Sequence, residues 1–395
     1  MMNTEKPRIA ILVSDTNPGG VETLVRLLIQ EIDRSQYTVV VVAFGPGPVG
    51  DELGRAADEY HNLGTGSKPV LTKFRDGRYR MDFWALPKLL LWLVRSVWQM
   101  AFWLRQNHIA LIHSHISAFS LIGGLAGRIT GVPLLWHVHC PLKHSNILGS
   151  WLATRFIANS HFITRQIHSS WRKKTTVVLN CTDVDAIASN QRTGELRRIV
   201  GMPDFSKLVG VVALATPRKG LPRFVEMAAK LAPQKPDVHF VIVAGLLDEM
   251  SERILSELKE QSSAAGIGEQ THIVRDLKNA RFYMGDMDAF FMCSLKGTEP
   301  FGLVVTEAMA AGVPVVAFDN DAMPEIIEDQ KTGFLVPEGD MDAAAAKIRE
   351  ILDDRKLSAR LTEAACERVR SQFDIPVFIQ RIQDVYEKTL KQAHR

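Results

Sequence analysis

The chain has only four cysteines in 395 residues, Cys140, Cys181, Cys293 and Cys366, with no C-x-x-C pair and no Cys/His ligand spacing. That excludes a disulfide scaffold and a finger-type zinc site, and it suits a reducing compartment. The first glycine loop, Gly19-Gly20, lacks the G-x-G-x-x-G spacing of a dinucleotide fingerprint and the GK[ST] ending of a P-loop. Both absences argue against a nicotinamide dehydrogenase and a P-loop NTPase. No apolar signal-peptide core precedes the first strand, since MMNTEKPRIAILVSD runs directly into it, so a cytoplasmic location is expected. A strong excess of one charge is also missing. The net charge is +3, split as 20 Lys and Arg against 13 Asp and Glu through residue 190 and 27 against 31 beyond it. The mildly basic first half fits an anionic surface or acceptor; it is too weak for nucleic acid, and no nucleic-acid partner is expected.

What is present is βα alternation, run through twice. Apolar runs at 8–13, 37–44, 110–113, 133–137, 155–158 and 176–179 predict strands, with helical spacing between several of them. The pattern restarts at Lys207, with strands at 208–213, 238–244, 272–274, 289–293, 313–318 and 333–336. Two parallel-sheet α/β domains follow, 1–190 and 200–372, joined through a polar stretch at 184–206. A terminal helix over 373–393 is expected to pack back on the first domain. Oligomeric state is not legible.

Residues 83–104 are rich in Trp and Leu, but Lys88 and Arg95 interrupt the run, which argues against a membrane span. Helical spacing aligns Lys88, Arg95, Gln99 and Gln106 into a narrow polar stripe. Two readings stand: a mostly buried helix, or an interfacial helix that meets an anionic membrane surface through 73–104, helped by Lys73, Arg75, Arg78 and Arg80.

Four places carry residues suited to chemistry. Gly19-Gly20 ends a strand and opens a helix, so its N–H groups can meet a phosphate, or it is simply a tight turn. Arg218 and Lys219 in Ala215-Thr216-Pro217-Arg218-Lys219-Gly220 can set positive charge at a sheet end, or be solvated. His137 and His139 share a strand face, as do His113 and His115. Four histidines raise the question of a metal, but no nearby carboxylate or cysteine completes a recognisable site, and none is expected. Glu299 and Glu307 flank the start of an apolar helix in Glu299-Pro300-Phe301-Gly302-Leu303. They are either acids at a helix start or two anchors for one ligand. The strings Asp183-Val184-Asp185 and Asp286-Met287-Asp288 lie where a metal role is not expected.

Taken in order, Asn17-Pro18-Gly19-Gly20, His139, Lys219-Gly220, Glu299-Pro300-Phe301-Gly302, Glu307-Ala308-Met309, Gly312-Val313-Pro314 and Thr332-Gly333-Phe334 resemble the retaining glycosyltransferases of family 4. The resemblance implies a GT-B fold, two Rossmann-like domains facing a central cleft with a C-terminal helix crossing back. It implies transfer of a hexose or N-acetylhexosamine from a nucleotide diphosphate sugar, UDP before GDP, to a saccharide or lipid-linked acceptor in surface polysaccharide or glycoconjugate assembly. Glu299 would hold donor-sugar hydroxyls, Glu307 the ribose, and Lys219 the donor phosphate, with Gly19, Gly20, Arg218, Phe301, Gly302 and Leu303 around the donor. His139 would lie near the reaction centre, and no metal or other cofactor would be required. Location would be cytoplasmic, peripheral on the inner face of the cell membrane. The sequence departs from the family pattern at Leu214, where an Arg is usual, at Asn180-Cys181 for Asn-Gly, and at Asp321-Ala322 for Gly-Gly. A sugar-nucleotide epimerase and a non-catalytic nucleotide-sugar-binding protein are the alternatives that share the donor end.

Overall fold

The structure is a computed structural model that describes residues 6–13, 20–45, 48–64, 72–75, 78–81, 84–142, 147–190, 192–202 and 206–393. The chain divides into two compact units, Met1–Val178 with Ile379–Arg395, and Leu179–Phe378.

The first unit is built on a seven-stranded parallel sheet. Its strands are β1 (Arg8–Val13), β2 (Thr38–Ala43), β3 (Glu59–Asn62), β6 (Ile109–Ser114), β7 (Leu134–Val138), β8 (Arg155–Ala158) and β9 (Thr175–Val177), with β4 (Thr72–Arg75) and β5 (Arg78–Met81) forming a separate antiparallel hairpin. Sheet order is β3-β2-β1-β6-β7-β8-β9. Ile9–Leu12 and Val39–Val42 are fully buried. They read as continuous apolar runs because a parallel strand covered by helices on both faces has no solvent side. The order reverses between β1 and β6, and in an open α/β sheet the carboxyl ends at that switch are where a ligand finds a crevice. The helices Gly20–Glu31 and Ser117–Thr130 start there.

The helix Ala85–Gln106 resolves the two readings of the Trp-rich run in part. One face, with Val97, Met100, Ala101 and Leu104, enters the core. The opposite face is exposed and still apolar: Leu91 is 71% exposed, Trp98 61% and Phe102 63%. Lys88 and Arg95 are exposed beside them. The helix is therefore half-buried. Among the described residues no helix is long and apolar enough to cross a membrane. In the preceding hairpin the backbone of Lys73 pairs across from Arg80 and that of Arg75 from Arg78.

The helix Ile375–Ala393 contributes its later turns to the first unit. Ile382, Val385 and Tyr386 are buried, and Tyr386 packs edge-on against Tyr37 at 5.6 Å.

The second unit holds six parallel strands: β10 (Lys207–Leu214), β11 (Val238–Gly245), β12 (Thr271–Arg275), β13 (Ala289–Met292), β14 (Val315–Phe318) and β15 (Phe334–Val336), ordered β12-β11-β10-β13-β14-β15. Consecutive residues feed opposite cores, as the strand period of two demands. Phe291 joins Phe224, Phe240 and Phe318 on one face, and Phe290 joins Phe301, Val305 and Met309 on the other. Each such side chain contributes about 1.5–3 kcal/mol by leaving water. Residues 184–200, expected as part of a polar connection, are packed into this unit. Leu196 is buried there, and the Asp286 carboxylate accepts the N–H groups of Gly194 and Leu196 at 2.7 and 2.8 Å.

Candidate active site

In the second unit the strand order reverses between β10 and β13, and the loops after these two strands carry Lys219 and Glu299. The first loop is a single 3-10 turn, Pro217–Lys219, closed by Gly220 at φ +65°. A side chain at 220 would put its Cβ 2.2 Å from the Cys293 carbonyl oxygen, so only glycine lets the two strand ends approach. The loops are stitched together as well. The Arg218 carbonyl accepts the Leu295 N–H at 3.0 Å and the Thr298 hydroxyl at 3.1 Å.

This approach brings Lys219 Nζ to 2.6 Å from Glu299 Oε2, with both side chains largely buried. Ser294 donates its hydroxyl to the same oxygen at 3.2 Å. Glu299 Oε1 takes no partner among the described residues, which leaves it as an acceptor for a ligand hydroxyl.

The Glu299 loop is held by acids on other elements. Lys296 N–H donates to Glu338 at 3.1 Å, Gly297 N–H to Asp321 Oδ1 at 2.7 Å, and the N–H groups of Thr298 and Glu299 to Asp321 Oδ2 at 2.9 Å each. Asp321 achieves this from a left-handed backbone, φ +50°. It occupies one of the positions where the family pattern has Gly-Gly, and it uses glycine's conformation while adding a carboxylate. Sequence reasoning noted the departure but gave Asp321 no role. Ser294 and Glu338 were missed altogether, and no spacing rule could have found contacts separated by this much chain.

Beyond Glu299 the chain turns into the helix Leu303–Ala310 through Gly302, at φ +97°. Apart from Val305, whose N–H donates to the Gly302 carbonyl at 2.9 Å, the first N–H groups of this helix lie where intrahelical acceptors are lacking and a polar ligand can take them. Phe301 is otherwise placed: its ring is buried against Phe373 at 5.8 Å, so its peptide, not its ring, is left for a ligand. Glu307 lies in the second turn. Its carboxylate has no hydrogen-bond partner among the described residues, and burial pushes its pKa up to about 7 against the opposing pull of Arg281. Three buried side-chain atoms in this unit, Asn180 Oδ1, Thr216 Oγ1 and Arg281 Nε, lack partners among the described residues. Leu214 packs over Gly245, where a Cβ would lie 2.8 Å from its Cδ2, so the position holds apolar bulk and no charge. Arg218 is exposed.

Both D-x-D strings serve the fold. Asp183 caps the helix Val184–Ala188, Asp185 pairs with Arg370, and Asp286 holds residues 194–196. Asp288 pairs with Arg197 at 2.6 Å and Lys207 at 3.1 Å.

In the first unit Gly19 lies outside the described residues, and Gly20 is the exposed first residue of its helix. His139 follows β7 and gathers with His113, His115 and His137. His137 and His139 stack at 4.2 Å, and His115 Nδ1 is 3.0 Å from His139 Nε2. Burial holds His113 and His139 down to about 3 and lowers the other two well below their ordinary value, so all four rings are neutral.

Two family models match, one in each half of the chain: Glycosyltransferase Family 4 over residues 18–186 and Glycosyl transferases group 1 over 193–368. A phosphatidyl-myo-inositol mannosyltransferase of Mycobacterium leprae is 32% identical over 296 residues, 72% of this chain and 75% of that one. A lipopolysaccharide core biosynthesis mannosyltransferase of Rhizobium meliloti is 29% identical over 218 residues, 55% of this chain, and the match spans only 61% of that relative's length. The crystal structure of Anabaena HepE in complex with UDP and glucose superposes with a TM-score of 0.77 at 21% identity, covering 96% of this chain and 99% of that one. The chain belongs to the GT-B glycosyltransferases, with a family 4-type first domain and a group 1-type second domain.

Proposed function

We propose that the protein is a retaining glycosyltransferase of family 4. It moves a hexose or N-acetylhexosamine from a nucleotide diphosphate sugar to a saccharide or lipid-linked saccharide in surface polysaccharide or glycoconjugate assembly. The observation that carries this reading is the buried Lys219–Glu299 pair at the switch point of the second unit, on a loop whose backbone is fixed by Asp321 and Glu338. Lys219 is the cation for the donor diphosphate, and Glu299 Oε1 and the N–H groups of residues 301–303 take sugar hydroxyls. Glu307 takes the ribose hydroxyls. The family resemblance gives Gly19, Gly20 and Arg218 to the phosphates and His139 to the sugar. A UDP-sugar is taken ahead of a GDP-sugar: the Anabaena protein of the same fold holds UDP and glucose, whereas the relatives from Rhizobium and Mycobacterium are mannosyltransferases.

The bond from the anomeric carbon to the diphosphate oxygen breaks as the acceptor oxygen attacks the same face. The departing oxygen takes the acceptor's proton. Lys219 stabilises the charge that collects on the diphosphate, a contribution of about 3–4 kcal/mol per preorganised donor. Retention without a covalent intermediate is supported by the state of the two acids. Glu299 Oε2 is committed to Lys219 and Ser294, and Glu307 is partly protonated near neutral pH, so neither is poised as a nucleophile.

The acceptor reading draws on the exposed apolar face of Ala85–Gln106 and the basic hairpin ahead of it. Together they suit the surface of an anionic membrane, on its inner face, where a lipid-linked acceptor resides. The test is a nucleotide-sugar panel read first by thermal shift and then by product analysis with added acceptors. Sugar transferred with its anomeric configuration kept supports the assignment. Interconversion of the nucleotide sugar without acceptor makes the protein an epimerase, and donor binding without any product makes it a non-catalytic binder.

A further inference from the structure

Outside the Lys219–Glu299 arrangement, the ends of β6 and β7 build a second constellation. His113, His115 and His137 each present a ring nitrogen, and these nitrogens lie within 4.8 Å of one another. All three residues are buried. His113 Nδ1 lies 2.7 Å from the Tyr386 hydroxyl, and its Nε2 has no hydrogen-bond partner among the described residues. His115 repeats the pattern, with Nδ1 at 3.0 Å from His139 Nε2 and its own Nε2 without a partner. A buried polar nitrogen left bare costs about 1–3 kcal/mol, and the two rings that carry these nitrogens lie with centroids 4.3 Å apart.

That division of labour within each ring is how a metal-binding histidine is held. One nitrogen donates its N–H to an outside acceptor, which fixes the tautomer and leaves the lone pair of the other for an ion. In the Nδ1–H tautomer of His113 and His115, the Tyr386 oxygen and His139 Nε2 are those acceptors. The donor set is all nitrogen, which disfavours Mg²⁺ and Ca²⁺ and favours Zn²⁺, Co²⁺, Ni²⁺ or Cu²⁺. Three imidazoles with an open fourth position need neither the carboxylate nor the cysteine whose absence argued against a site at the level of sequence.

We propose that His113, His115 and His137 form a three-imidazole site for a borderline dication of the Zn²⁺ class, with Tyr386 and His139 as its outer hydrogen-bond partners. Binding draws the three nitrogens together, to the about 3.3 Å separation that Zn–N bonds of about 2.0–2.1 Å set in a tetrahedron. The ion thereby cross-links two neighbouring strands to the helix Ile375–Ala393 through Tyr386. It takes no part in the transfer described above.

The experiment needs neither donor nor acceptor. The full chain is stripped with chelator and titrated with Co²⁺ alone, then with Zn²⁺. One Co²⁺ per chain is expected, with the intense visible absorption of a four-coordinate ion, lost when one equivalent of Zn²⁺ displaces it. The variant His115→Gln/His137→Gln is expected to lower Co²⁺ affinity at least a hundredfold. Should that variant fail to fold, the titration of the unaltered chain still decides, because no stoichiometric uptake overturns the site. Uptake that survives in the folded variant overturns it equally, by placing the ion on other histidines.

Discussion

Lys219 Nζ and Glu299 Oε2 stand 2.6 Å apart, so the cation assigned to the donor phosphate is already neutralised by the acid assigned to the donor sugar. In the free protein the two side chains lie against each other in a largely buried setting, where each offsets part of the other's desolvation. On the proposed roles, a donor diphosphate competes with Glu299 for Lys219 and offers Glu299 hydroxyls in return, an exchange that favours an intact sugar nucleotide over a bare nucleotide.

This leads to opposite effects from two substitutions. Lys219→Ala is expected to lower kcat/KM at least a hundredfold with UDP-sugar donors and to weaken UDP binding. Glu299→Gln releases the lysine, so UDP binds several-fold tighter by calorimetry while transfer falls at least tenfold. Near-normal transfer by both variants would sink the donor assignment.

Asp321 fixes three successive N–H groups of the loop that carries Glu299. Asp321→Ala removes three bonds from successive loop N–H groups to a partly exposed carboxylate. We expect kcat to fall at least tenfold with a modest loss in Tm. Asp321→Gly, which keeps the backbone geometry and loses only the carboxylate, should match the alanine variant in rate. A glycine variant with full activity would show that the φ angle matters and the carboxylate does not.

Glu307 titrates near 7 in the folded chain against an ordinary value of 4.5, through burial. Between those two values the native state binds more protons than the unfolded one. Its contribution to stability is therefore largest at acid pH and declines as pH rises from 4.5 through 7. Urea unfolding of the ligand-free chain at a series of pH values should show this slope, and Glu307→Gln should flatten it. An unchanged slope in the variant would place the elevated pKa elsewhere.

The exposed face formed by Leu91, Trp98 and Phe102 is expected to hold the protein on vesicles rich in anionic lipid. Replacing all three with Ser should abolish cosedimentation without unfolding the chain, because the core-facing side of the helix is untouched. High salt should weaken binding, with each basic residue at the surface contributing about 1 kcal/mol. Equal recovery of both proteins with the vesicles would assign the face to something other than lipid.

Much of the fold is legible in the sequence because the strands are covered on both sides and so appear as unbroken apolar runs, Val39–Val42 being the clearest. The Lys219 and Glu299 loops were legible from local composition, since glycine, proline and charge mark strand ends. Their mutual contact was not, because 80 residues separate them and only the adjacency of β10 and β13 closes that distance. The histidines show the same limit. Each His-x-His pair declares a shared face by strand alternation, yet whether the two pairs meet depends on β6 and β7 being neighbours. The solvent side of Ala85–Gln106 was ambiguous for another reason: Leu, Trp and Phe look alike to a periodicity argument whether a core or a membrane covers them.

The contact between His113 and Tyr386 spans 273 residues. During synthesis the second unit, contiguous from Leu179 to Phe378, has all its parts before the first unit receives the turns that bury Tyr37. The usual order of domain maturation is thereby inverted: the amino-terminal unit begins first and finishes last. While the later unit is being made, the surface awaiting Ile382, Val385 and Tyr386 stays open to chaperones and proteases, and truncation just before these residues should injure the half of the protein farthest away in sequence.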